Sequence, residues 1–275
     1  MTLNAQEKSK YDALCKEFRK ELITMLHKAG SGHAGGSLSE TEILTSIYFI
    51  EGKFDPATPE KNDSFVLCKG HAAPMLYEVL AEKGYFPKSD LQHLRQIGSH
   101  LQGHPCSKHT PGVEVSTGPL GMGYPVALGM ALGDKMDGKT ERYVYALLGD
   151  GEINEGVVWE TAMNIAKNNA VNLISIVDLN GVQLDGTTDQ VMPMGDVAAK
   201  FRSFGYDVLE CDGHDLCSIC NAIEAAKANK NRPSMILAHT IKGKGISFME
   251  GKNTWHGKMV DDASYAAAMK ELEEN

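Results

Sequence analysis

Two apolar runs, 143–148 and 173–177, stand out in the pattern of hydrophobic and polar positions. Both are strand-length and free of charge, and a helical period fills the space between them. Strand, helix and strand in that order make one parallel crossover. Upstream, residues 5–29 repeat every three to four positions, with Leu14, Phe18, Leu22, Met25 and Leu26 on one stripe. Gly30-Ser31-Gly32 ends that helix. A second helix is predicted over 38–50, and a strand over 64–68 runs into Lys69-Gly70-His71. A helix then follows to about residue 83, and another helical segment spans 87–96. Residues 98–119 have no period, and so long an irregular stretch inside a compact domain is usually functional. A Gly/Ala-rich helix follows over 121–136. Beyond the two runs come a loop at 181–195, strands at 206–210 and 234–239, and a helix over 214–230 between them. The alternation predicts an α/β fold, a doubly wound, mostly parallel sheet with helices on both faces. With no repeat or linker, residues 1–260 read as one domain, followed by an acidic, helix-prone tail at 261–275.

In a crossover of this kind both strands end on the same edge, where open α/β sheets bind ligands. Asp150 follows the first run, inside Gly149-Asp150-Gly151, and Asn180 follows the second. The two are therefore expected at one site. A carboxylate and an amide oxygen are hard ligands that suit Mg²⁺ or Ca²⁺. Two protein ligands leave coordination positions for a diphosphate. Both residue types also favour turns, which is the plainer reading. Gly151 allows close backbone approach. Gly118-Pro119-Leu120-Gly121 precedes a helix, where backbone N–H groups bind anions. Glu152 opens the next helix, and its carboxylate is read as complementing the helix dipole.

The net charge of −9 argues against nucleic acid and against an anionic membrane surface as partners. The polar start of the chain and the lack of a long apolar run point to no membrane association. Six cysteines without a secretory signal read as reduced thiols, and hence a cytoplasmic protein. The run from His100 through His104 and Cys106 to His109 invites zinc, but its spacing fits no standard site. Cys217 and Cys220 have redox spacing but fall in a predicted helix with no second pair. No GxGxxG follows an early strand, which argues against a nicotinamide-binding domain.

Gly-Asp-Gly with Asn about thirty positions on resembles the metal–diphosphate signature of thiamin-diphosphate enzymes. Gly32-His33-Ala34-Gly35-Gly36-Ser37, Lys69-Gly70-His71, Gly103-His104-Pro105, His109-Thr110-Pro111-Gly112-Val113-Glu114, Thr117-Gly118-Pro119-Leu120-Gly121 and Trp255-His256-Gly257 are similar to transketolase, in transketolase order. The resemblance implies the thiamin diphosphate-binding fold. It implies thiamin diphosphate and Mg²⁺ (or Ca²⁺) as cofactors, with Asp150, Asn180 and the Val182 carbonyl as metal ligands. His71, Gly118, Leu120, Gly151 and His256 would contact the cofactor. His33, His104 and His256 would line the mouth that holds the sugars. Glu155 is either a solvated helix face or, as the family implies, a carboxylate at a subunit interface.

Transketolase chains are much longer, and the part that binds the aminopyrimidine ring lies beyond the blocks matched here. The resemblance therefore implies the N-terminal subunit of a split transketolase in carbohydrate (pentose phosphate) metabolism. Such a subunit would transfer a two-carbon ketol unit between sugar phosphates. It would be inactive without a C-terminal partner subunit, in an α2β2 heterotetramer. The alternatives are half of a deoxyxylulose-phosphate synthase-like enzyme and a non-catalytic regulatory subunit. Ala34, Cys106, Leu179 and Gly181 depart from the family pattern without removing a group given a role.

Overall fold

The computed structural model describes residues 3–274; the first two residues of the polar start and the last residue of the tail lie outside them. Five strands form one sheet: β1 (Ser64–Leu67), β2 (Val144–Gly149), β3 (Leu173–Leu179), β4 (Asp207–Asp212) and β5 (Ser234–His239). Their order is β1-β2-β3-β5-β4, and every pairing is parallel.

Both faces of the sheet are covered, which is why its central strands are largely apolar. Successive side chains alternate between the two faces. Tyr145, Leu147, Ile174, Ile176 and Ile236 point into one core layer. That layer holds α1 (Ala5–Ala29), α2 (Ala34–Ser39), α3 (Thr41–Thr45) and α4 (Ala73–Glu82). Val144, Ala146, Leu148, Leu173 and Val177 point into the other. There α5 (Gly123–Met136) and α6 (Gly156–Asn168) pack.

Some expectations need correction. The single helix over 38–50 is broken into α2, α3 and a π-helical turn at Ser46–Glu51. The break falls at Glu40, whose side chain turns inward to an ion pair with Lys69. The helical segment over 87–96 is a short 3₁₀ run, Lys88–His93. It ends before Arg95, whose φ of 61° is left-handed and leaves the helical path. The loop at 181–195 contains a short helix α7 (Thr188–Val191), started by a capping box from Thr187. Helix α8 (Val197–Ser203), capped by Asp196, follows it and has no counterpart in the sequence pattern. Helix α9 (Leu216–Ala228) lies between β4 and β5. The segment read as a tail forms α10 (Asp262–Glu274), which places Ala268 and Leu272 in the core layer that contains α1.

The turn leading into α5 depends on Gly121. Its φ is +79°, and a Cβ there would lie 2.7 Å from Val157 Cγ1 and 2.9 Å from Glu155 Cβ. Gly121→Ala therefore combines left-handed strain of ~1–2 kcal/mol with a collision against the start of α6. Urea unfolding should show a loss of at least that size. An unchanged midpoint would mean that the two segments are not held this close.

Candidate functional site

Parallel pairing brings the C-terminal ends of all five strands to one edge. In the β2–β3 register Gly149 lies opposite Asp178, so Asp150 and Asn180 follow neighbouring strands at nearly the same level. Asp150 is buried. Its carboxylate accepts the Gly151 N–H at 2.7 Å and, through the other oxygen, the Gly181 N–H. Those bonds tie it to the loop that carries the next two donors. The Asn180 side-chain oxygen accepts the Val182 N–H at 3.1 Å. The Val182 carbonyl accepts from Lys242 Nζ at 3.0 Å. Asp150, Asn180 and Val182 line one cavity of about 230 Å³, together with Gly36, Gly118, Leu120, Gly149 and Gly151.

This donor set fits a hard cation bound to a diphosphate: a carboxylate, an amide oxygen and a carbonyl converge among small residues. Burial, and then the charge of Asp178, raise the Asp150 carboxyl to about 6. A cation there would return it to the ionised form. Among the described residues no group of three His, Cys, Asp or Glu is placed to hold a metal, so the 100–109 run assembles no zinc site. Cys217 and Cys220 both lie on α9, and all six cysteines are free thiols.

Four histidines converge at the mouth of the cavity. His33 lies 5.2 Å from His71, 5.3 Å from His256 and 6.4 Å from His104, between ring centroids. His71 and His256 are 4.9 Å apart. The hydrogen bonds fix two of the tautomers. Arg95 Nη2 sits 3.3 Å from His33 Nδ1, and Lys242 Nζ sits 2.9 Å from His256 Nδ1. Guanidinium and ammonium groups only donate, so each Nδ1 is the acceptor and each proton is on Nε2. Burial first, then neighbouring cations, lowers His71 to about 2, His256 to about 3 and His33 to about 4. His104, exposed at the rim, is lowered by the same causes. The cluster is neutral at physiological pH.

Several residues of the site have no role, or a different one, in the sequence reading. Lys69 Nζ, 2 % exposed, contacts Asp178 at 2.6 Å, Glu40 at 2.8 Å and the Gly36 carbonyl at 3.0 Å. Lys242 follows β5 much as Asp150 follows β2, so the strand-end argument could have found it. The Lys242 ammonium is lowered to about 8, by burial first. Arg95 left no signal in the sequence. Glu152 corrects the helix-dipole reading: its carboxylate accepts the Gly121 N–H at 2.8 Å and the Gly149 N–H at 3.1 Å. It therefore splices the 118–121 loop to the end of β2, and burial raises it to about 7. Glu155 does not join this cavity. It is exposed at the N-cap of α6, against Gly121.

Residues 12–274 match the family described as "Transketolase, thiamine diphosphate binding domain". The chain is 42% identical over 257 residues to SqwG, the 6-deoxy-6-sulfo-D-fructose transketolase subunit of Clostridium sp. (strain MSTE9), covering 93% of each chain. It is 40% identical over 271 residues to one subunit of the apulose-4-phosphate transketolase of Actinobacillus succinogenes, covering 96% of this chain and 97% of that one. It superposes on the transketolase of Pichia stipitis solved with sedoheptulose 7-phosphate, with a TM-score of 0.90 and 30% identity. That match takes in 96% of this chain but only 40% of the Pichia chain. A match to one domain along almost the whole length, with relatives this similar end to end, means that the chain belongs to the transketolase family.

Proposed function

We propose that this chain is the N-terminal, diphosphate-binding subunit of a split transketolase that moves a two-carbon ketol unit from a ketose phosphate to an aldose phosphate. The observation that carries this reading is the gathering of Asp150, Asn180 and the Val182 carbonyl in one cavity, with four neutral histidines at its mouth. Thiamin diphosphate, when bound, supplies the electron sink that C–C cleavage requires. Asp150, Asn180 and Val182 O hold Mg²⁺, while Lys242 and the backbone at Gly118, Leu120 and Gly151 neutralise and cradle the diphosphate. His71 and His256 face the cofactor. His33, His104 and His256 present neutral imidazoles to sugar hydroxyls, where they orient the sugar and relay protons.

The same reading assigns a partner. Two of the relatives are named as subunits. The pyrimidine-binding half then resides on a separate C-terminal subunit, in a cytoplasmic α2β2 heterotetramer. No helix among the described residues is long and apolar enough to cross a membrane. Glu155, exposed beside the 118–121 loop, is assigned to the subunit interface. The relatives are named for 6-deoxy-6-sulfo-D-fructose and apulose 4-phosphate, sugars that carry an anionic group. The substrates proposed here are of that class, as sugar phosphates.

Asp150→Ala should abolish Mg²⁺-dependent binding of thiamin diphosphate to the assembled enzyme. The loss should exceed the ~10–100-fold typical of an outer-shell partner, and unchanged calorimetric affinity would sink the metal assignment. His33→Ala should cost ~10²–10⁴-fold in turnover, the usual weight of a positioned acid–base group, with cofactor affinity retained. Arg95→Met tests the electrostatic argument. Arg95 is, after burial, the largest cause of the low His33 value. Its removal should raise the His33 pKa and shift the acid limb of the turnover profile to higher pH. A limb that stays in place would show that Arg95 does not govern His33.

A further inference from the structure

Arg19 and Glu42, both buried, form a triad with the half-buried His214 outside the cavity and its histidine ring. Arg19 and Glu42 are each 7 % exposed. The guanidinium forks onto the carboxylate, with Nη1 at 2.6 Å from Oε1 and Nη2 at 2.8 Å from Oε2. Oε2 also meets His214 Nδ1 at 2.9 Å. The other ring nitrogen, Nε2, accepts the backbone N–H of Ile241 at 2.8 Å, so the imidazole proton is on Nδ1 and is donated to Glu42. A third N–H of Arg19, on Nε, donates to the Lys244 carbonyl at 3.0 Å. Both free ends of the triad therefore reach one short turn, at the residue before Lys242 and at the second residue after it.

The turn is shaped to accept this grip. Gly245 has φ +94°, and a Cβ there would lie 2.9 Å from Arg19 Cδ, so a side chain would push the guanidinium away. On the opposite side the Gly243 N–H donates to the Gly35 carbonyl at 3.0 Å. Gly35 itself leaves room for the Lys242 stem: a Cβ there would sit 3.0 Å from Lys242 Cγ. Lys242 is thereby aimed at the Val182 carbonyl and at His256 Nδ1. A buried ion pair is weak evidence for stability, because apolar residues can often replace it. A triad whose spare donor and acceptor both hold the backbone around one functional lysine has a more specific explanation.

We infer that Arg19, Glu42 and His214 are positioning residues that preset Lys242 toward the diphosphate and the His256 tautomer. The inference rests on the proposed diphosphate site. Its test is calorimetric affinity for thiamin diphosphate, measured in Mg²⁺ on the chain assembled with its partner. His214→Leu removes both ring hydrogen bonds and should weaken affinity by ~10–100-fold, as the loss of an outer-shell partner typically does. His214→Gln, which can return an acceptor to Ile241, should recover most of that loss. In a Lys242→Met background, His214→Leu should add little further weakening, because the group that it positions is gone. Arg19→Lys, which keeps charge against Glu42 but loses the Nε contact to Lys244, should follow the same non-additive pattern. It serves as the test if His214→Leu does not fold. Undiminished affinity in both single variants, or losses that multiply fully with Lys242→Met, would overturn the inference. Failure of the wild-type assembly to bind thiamin diphosphate would overturn the proposed function instead.

Discussion

The site depends on one buried ammonium. Lys69 leaves the end of β1 and is held by Asp178, Glu40 and the Gly36 carbonyl. Asp178 is the penultimate residue of β3, two before Asn180, and also accepts from Ser39 at 2.6 Å and from Thr240. The His33 segment, the His71 turn, the Asn180 loop and the Lys242 turn are thus joined through a single charge cluster. Burial raises the Glu40 carboxyl to about 8, while Lys69 draws Asp178 below the usual carboxylate range. Lys69 faces both carboxyls at once, so its charge is not stranded in the interior. Removing Lys69 would leave Asp178 as an uncompensated buried charge, which typically costs ~3–5 kcal/mol. That dependence ties the separate loops to one cluster.

The same electrostatics explains why the histidines are neutral. Burial disfavours imidazolium at each of them, and Lys69, Lys242 and Arg95 add repulsion. Positive charge is therefore carried by the lysines beside the cavity and by Arg95 beside His33, and the imidazoles are left to donate or accept hydrogen bonds. An anionic ligand suits this division. It meets fixed cations in the cavity and polar, uncharged rings at its mouth.

What the sequence made legible follows the same physics. The strands were readable because both faces of the sheet are buried, which makes 143–148 and 173–177 continuous apolar runs. Asp150 and Asn180 were readable because a parallel register places residues after neighbouring strands side by side. The four histidines were readable from the resemblance of their loops rather than from their spacing. Glu40 was not readable: it lies in what looks like one helix, and only its inward turn to Lys69 breaks the period. Glu152 was misjudged because dipole complementarity and a two-point backbone tie draw on the same residue type at the same position. Lys69 stands in a block that resembles transketolase, but nothing local marks it or Lys242 as buried, because lysine is ordinarily a surface residue. Arg95 sits at a left-handed backbone position that no local pattern announced.

These cases share a physical form. Glu152 ties Gly121 to Gly149, Asp150 ties itself to Gly181, and the Arg19–Glu42–His214 triad ties Ile241 to Lys244. Each is a buried ionisable side chain that spends its hydrogen bonds on backbone groups in loops. A loop on its own is among the more mobile parts of a fold. A buried polar group, by contrast, tolerates few geometries, because every unsatisfied atom costs ~1–3 kcal/mol. Loops fastened this way acquire the precision of the sheet while keeping the irregular backbone that an anion-binding site requires. The sheet edge brings the loops to one place, and the buried acids and bases then hold that place to the tolerance at which chemistry works.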